Sequence, residues 1–262
     1  MDILLHIIAG AGVGFAVGLT GVGGGSLMTP LLLLFGYPAP VAIGTDLLYA
    51  AVTKAGGAWS HHRAGNVEWG IVGWLALGSI PASVFLHWLL QGSGFQESEG
   101  YAELLTTSLG IMLIITSVIL LSRDRIRFNA VQDSPPALLS FLHNHRTAMT
   151  FVMGVLLGIC VTLSSVGAGA FGAAILLTLY ARISTVRIIG TDIAHAVPLT
   201  LIAGLGYLLA GYVDFQLLAG LLIGSLPAIH FGSRLSNRVP DKILQRLLVV
   251  VLLTLGLFYT LG

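Results

Sequence analysis

Two aspartates hold the third place of the same tripeptide, Gly44-Thr45-Asp46 and Gly190-Thr191-Asp192. Each tripeptide lies near the start of a long apolar stretch, where an ionisable side chain is costly enough to be a functional candidate by default. A carboxylate at such depth can serve gating or proton coupling, and the hydroxyls of Thr45 and Thr191 can donate to a ligand. The competing use is local: just after Pro40 and Arg187, either Thr or Asp can cap a starting helix, and a cap can also line a cavity. Lys54 is eight residues beyond Asp46, about 80° round a helix and 12 Å along it, so it is not expected as a direct partner. Its ammonium either attracts an anion or snorkels to the nearby membrane boundary. His195 follows Asp192 by three residues on the same face and suits either a proton carrier or a hydrogen-bonded structural role.

Glycine supplies the second set of candidates. The stretch GLTGVGGGSLMTP, residues 18 to 30, has five glycines within eight positions, although each costs a helix interior about 1 kcal/mol relative to alanine. So dense a cluster predicts a break at Gly21 to Gly25, with a matching break at Gly167 to Gly169. Free amides and carbonyls inside hydrocarbon are tolerated only where protein or a wet cavity satisfies them. The arm restarting at Ser26, and its counterpart at Ala170, would each present a helix N-terminus at mid-membrane, where free amides and the positive dipole end favour an anion. Backbone donors would come from Gly23, Gly24, Gly25, Gly167 and Gly169 with Ser26, and Thr20, Thr29, Ser164 and Ser165 add hydroxyls. The alternative for these clusters is a purely structural turn. Gly10, Gly14, Gly18, Gly154 and Gly158 have the four-residue spacing of close helix packing.

The elements that position these groups follow from composition. The chain of 262 residues is 56% hydrophobic and 9% charged, against roughly 25% charged residues in a soluble domain. Apolar runs of crossing length begin near residues 3, 41, 69, 102, 148, 186, 213 and 243, which implies an all-α polytopic membrane protein embedded in the lipid bilayer. The N-terminal MDILLHI carries no Lys or Arg before its apolar run, which argues against a cleaved signal peptide. With a net charge of +1 and scattered basic residues, nucleic acid is excluded as a partner.

The chain repeats itself. GFAVGLTGVGGG (14 to 25) aligns with GICVTLSSVGAG (158 to 169), GTDLLYA with GTDIAHA, AGNVEW with AGYVDF, and LGSIPA with IGSLPA. Repeat 1 is therefore taken as 1 to 121, a linker as 122 to 147, and repeat 2 as 148 to 262. Loop 91 to 103 is acidic while its counterpart near 233 to 246 holds Arg234, Arg238, Lys242 and Arg246, so the positive-inside rule places matching loops on opposite sides. The repeats are accordingly expected in inverted topology, each a glycine-broken re-entrant hairpin plus three transmembrane helices. The Arg-bearing linker belongs in the cytoplasm and both termini outside.

Other chemistries have less support in the residues. Ser165, His195 and Asp192 could form an intramembrane hydrolase, yet the counterparts of Ser165 and His195 are Gly21 and Tyr49. A membrane assembly factor acting through a partner protein is a further alternative. His61, His62, His143 and His145 could hold a divalent metal, but no carboxylate or thiol cluster accompanies them, so no metal site is assigned. Cys160 stands alone, which leaves no intramolecular disulfide. No nucleotide-binding loop is present, so no cofactor is expected and energy must come from an ion or voltage gradient.

On GLTGVGGGSLMTPLLLL (18 to 34), the block from 44 to 69, GTDIAHAVPLT (190 to 200) and LIGSLPAIHFGSRL (222 to 235), the chain resembles the sulfite exporter TauE/SafE family, also described as toluene sulfonate uptake permeases. The resemblance implies a bacterial inner-membrane secondary transporter, not an enzyme, moving a small sulfur-containing anion such as sulfite or an organosulfonate, with export as the expected direction. Such a protein works by alternating access with a coupling proton or ion, and a homodimer is compatible with it. A cation-coupled uptake permease for a small organic acid is the alternative within transport.

Overall fold

The computed structural model describes residues 3–20, 25–92, 94–130, 145–167, 169–180, 182–236 and 241–261. All regular structure among them is helical, in two runs of five α-helices with one short 3-10 turn at Phe95–Glu97. The first comprises α1 (Ile3–Thr20), α2 (Gly25–Leu34), α3 (Ala39–Arg63), α4 (Trp69–Gly92) and α5 (Glu99–Ala130). The second comprises α6 (Arg146–Ser164), α7 (Ala170–Leu179), α8 (Thr185–Leu209), α9 (Phe215–Ser236) and α10 (Asp241–Leu261). Six are long and apolar enough to cross a bilayer: α4, α5 over Gly100–Ser122, α6, α8, α9 over Phe215–Leu235 and α10 over Leu244–Leu261. Large apolar side chains such as Trp88, Phe85, Leu247 and Phe258 point outward, as lipid-facing residues do. The chain is a multi-pass membrane protein.

The first helix of each half packs along the fourth helix of the other. A Cβ on Gly10 would strike the backbone of Leu221, one on Gly14 that of Ser225, and one on Gly18 that of Ile229. Both series rise together, so α1 and α9 run parallel. Gly154 against Leu75 and Gly158 against Ser79 give α6 and α4 the same relation. Small residues on each partner bring the backbones together where no hydrophobic drive exists between helices in lipid, as the four-residue glycine spacing predicts.

Counterpart helices run the opposite way. Gly44 lies against Tyr207, Gly204 against Leu48, Gly57 near Ile193 and Gly190 against His61, an antiparallel register for α3 and α8. In α5 and α10, Gly110 faces Gly256, and the Gln245 amide donates to the Leu120 carbonyl, again antiparallel.

Both hairpins close on themselves. The Tyr37 hydroxyl meets Nε2 of His6 at 2.6 Å, returning the chain after α2 to the level where α1 began. Tyr180 after α7 meets Thr150 near the start of α6 at 2.8 Å. Each return helix has 10 residues, about 15 Å at 1.5 Å per residue, half the bilayer core. Helix α5 continues to Ala130, past the end of its apolar run at Ser122; polarity rises there, but no Gly or Pro interrupts residues 123 to 130.

Candidate functional site

Helix α3 is buried at every position from Ala42 to Ala51, which places Asp46 deep in the bundle with no exposure. Its Oδ2 accepts a hydrogen bond from Thr29 Oγ1 of α2 at 2.5 Å, and the Ser165 hydroxyl faces the same carboxylate from the second break. Ser165 caps the end of α6 at φ +58°, its amide bonded to the Val161 carbonyl at 2.8 Å. Among the described residues it is the non-glycine position with positive φ, a conformation that costs about 1–2 kcal/mol. Gly167 and Gly169 follow at φ +130° and +132°, where only glycine is free of strain. The second break is thus an irregular segment, as the glycine density predicts.

Asp192 of α8 takes the matching place against α7. The residue is 2% exposed, the Gly169 amide reaches its carboxylate, and Oδ1 presses on Gly172. Each aspartate therefore lies at the N-terminal turns of the return helix in its own half, where the positive end of the helix dipole favours negative charge. Neither caps the start of its own helix: α3 begins at Ala39 and α8 at Thr185, well before the two tripeptides.

Lys54 lies in the electrostatic field of Asp192 and, more weakly, of Asp46. Helix side chains lean toward the N-terminus, so four methylenes carry the charge back along α3. The antiparallel register sets Asp192 level with the far part of α3, near Gly57, so Lys54 falls between the two carboxylates in depth.

The remaining candidates are distributed as follows. His195 Nε2 bonds Ser79 Oγ at 2.8 Å, while Ser165 faces Asp46, so Ser165, His195 and Asp192 are not assembled in the order a hydrolase needs. Thr45 Oγ1 accepts from the Asp214 amide at 3.3 Å, and Thr191 Oγ1 from the Glu68 amide at 2.9 Å. Gly44 and Gly190 lie against the carbonyls of Tyr212 and Asn66 in the same loops. Each Gly-Thr-Asp block thereby docks on the other half's AG-loop, with Arg187 and Glu68 paired nearby at 2.7 Å. Gly25 opens α2. Gly23 and Gly24 lie outside the described residues, as does the side chain of Ser26.

Sequence reading overlooked Tyr49, Ser79, Ser225 and Gly172. Tyr49 faces Ser225 and Asp46, at the positions that correspond to His195 and Ser79 in the other half. The signal was present, because Tyr49 aligns with His195 and Ser79 with Ser225 in the repeated blocks. Asp46 Oδ1, Asp192 Oδ1, Ser165 Oγ, Tyr49 Oη, Ser225 Oγ and His195 Nδ1 are buried without a hydrogen-bond partner among the described residues. An unmet buried polar atom costs about 1–3 kcal/mol, so this concentration marks where water, an ion or a substrate belongs.

Comparison with known proteins agrees with this arrangement. The probable membrane transporter protein YjnA of Bacillus subtilis is 38% identical over 256 residues, covering 96% of this chain and 97% of its own. The probable membrane transporter protein YdhB of the same organism is 30% identical over 254 residues, covering 89% and 90%. A probable membrane transporter protein of Methanocaldococcus jannaschii is 27% identical over 273 residues, covering 97% and 94%. No solved structure matches. The model of the family described as sulfite exporter TauE/SafE matches residues 6–259, and with helices throughout and a buried aspartate against each half-length return helix, the chain belongs to that family of membrane transporters.

Proposed function

We propose that this transporter moves a small sulfur-containing oxyanion, such as sulfite or an organosulfonate, across the bacterial inner membrane by alternating access. The linker lies in the cytoplasm and both termini outside. The carrying observation is the pair of half-crossing helices, α2 and α7, whose N-terminal turns meet the buried Asp46 and Asp192, with the half-buried Lys54 in the field of both carboxylates. A dipole's positive end and a half-buried ammonium are what an oxyanion seeks inside hydrocarbon. The inverted arrangement supplies two related conformations, in which one half rocks against the other around the path. Export is the working direction, in keeping with the family's description. The test is flux in liposomes holding the purified protein, against a panel of sulfite, sulfonates, sulfate and carboxylates. Saturable movement of a sulfur oxyanion supports the proposal; carriage of carboxylates alone favours the organic-acid alternative.

A further inference from the structure

The helix ends that an entering anion would use are already occupied. Asp46 is held by Thr29 in the first turns of α2, and Asp192 is pressed on Gly172 in the first turns of α7. Both carboxylates are internal anions at sites that favour negative charge. Along the path two carboxylates and one ammonium leave one net negative charge, and the two helix N-termini return about half a positive charge each. With both aspartates ionised the path is close to neutral, and a substrate anion meets no attraction and a rival at each amide cluster.

Protonation removes both obstacles. It withdraws the competing charge from the helix end and leaves the dipole and Lys54 to the substrate. Each aspartate has an Oδ1 that is buried and without a hydrogen-bond partner among the described residues, an open lone pair where a proton can sit. The groups facing Asp46 are Thr29 from α2, Ser165 from the second break, and Tyr49 and Lys54 from its own helix. Those facing Asp192 are the Gly169 amide, Gly172 of α7 and Lys54 of α3. His195 is tied to Ser79 and lies in the field of Lys54.

Resting on the oxyanion reading above, we infer that anion and protons travel together: one proton joins per unit of anion charge, held by Asp46 or Asp192 as its carboxylate yields the helix end. A monovalent anion takes one proton and a divalent anion takes both. Protons bind from the solution on the side of entry and leave on the other, so the cycle is electroneutral. Net direction then follows the sum of the anion and proton gradients: an acid exterior drives uptake, and export runs when the anion accumulates inside.

The test uses purified protein in liposomes that contain a pH-sensitive dye, with membrane potential clamped by potassium and valinomycin. Methanesulfonate and sulfoacetate serve as probes, because as strong-acid anions their sulfonates have no neutral form to leak across, and sulfite is run beside them. The expected result is one proton per methanesulfonate and two per sulfoacetate dianion, with flux unchanged by the imposed potential. Anion flux without protons, driven by potential, overturns the coupling while leaving the anion reading intact. Absence of any anion flux in the wild type overturns the anion reading and the coupling with it. In Asp46→Asn and Asp192→Asn, checked for monodispersity, sulfoacetate movement loses one proton and becomes sensitive to potential. An unchanged ratio in both variants would place the protons elsewhere and overturn the assignment to these residues. If neither variant moves anion, the wild-type ratio decides.

Discussion

The α-carbon of Gly172 lies directly against Oδ1 of Asp192, so that a methyl group added at 172 would overlap the carboxylate oxygen. The oxygen is buried in the bundle and the neighbouring backbone belongs to a short helix held by its hairpin. Gly172→Ala is therefore expected to displace the carboxylate from the α7 end and reduce transport at least tenfold, with the protein still assembled. Gly12→Ala, which adds its methyl where nothing lies within 4 Å, is the control and should transport as the wild type. Initial flux rates in liposomes, normalised to incorporated protein, decide the comparison.

Ser165 combines strain with contact. At φ +58° a glycine would relieve the backbone, and Ser165→Gly is expected to raise stability by about 1 kcal/mol. The same change deletes the hydroxyl that faces Asp46, so transport should fall or shift its pH dependence while thermal stability rises. Thermal unfolding in detergent together with flux measures both. A fall in stability would mean that the hydroxyl outweighs the strain.

The parallel seams are the next place where one atom matters. Gly158 meets the backbone of Ser79, and Gly14 meets that of Ser225; no rotamer of a larger side chain avoids backbone. Gly158→Leu and Gly14→Leu are expected to lose more than the 1–3 kcal/mol typical of overpacking, seen as a lowered unfolding temperature or aggregation on size-exclusion chromatography. Gly73→Leu, on the same α4 but with nothing within 4 Å, should be tolerated.

What could be read from the sequence follows the range of each signal. Glycine spacing and apolar length are local, and they located the seams, the second break and the helix order without a fold in hand. The repeated blocks align Tyr49 with His195 and Ser225 with Ser79, so both halves set the same two positions facing each other, although the 2.8 Å hydrogen bond is made in the His195–Ser79 pair. The position of Lys54 between two carboxylates was not legible, because helical spacing speaks only to neighbours on one helix. Its stronger partner, Asp192, lies on α8, at a depth set by the antiparallel register. Thr45 and Thr191 likewise bind backbone amides more than a hundred residues away, a distance no local pattern spans.

Opposed orientation of the halves has a direct chemical test. The registers run α4 antiparallel to α3 and α5, and α3 antiparallel to α8, so the loop at residue 64 and the helix end near 233 share one side while residue 98 lies on the other. All three positions are exposed. With Cys160→Ala as background, the variants Ala64→Cys, Ser233→Cys and Ser98→Cys each present one thiol. A membrane-impermeant maleimide added to intact cells is expected to label Ser98→Cys alone, and all three after the membrane is opened. The pairing of 98 against 233 is decisive, because these positions border matching loops of the two halves: in parallel repeats they would label together. Labelling of Ala64→Cys and Ser233→Cys from outside, with Ser98→Cys protected, would keep the inversion but reverse the membrane orientation and place the linker outside.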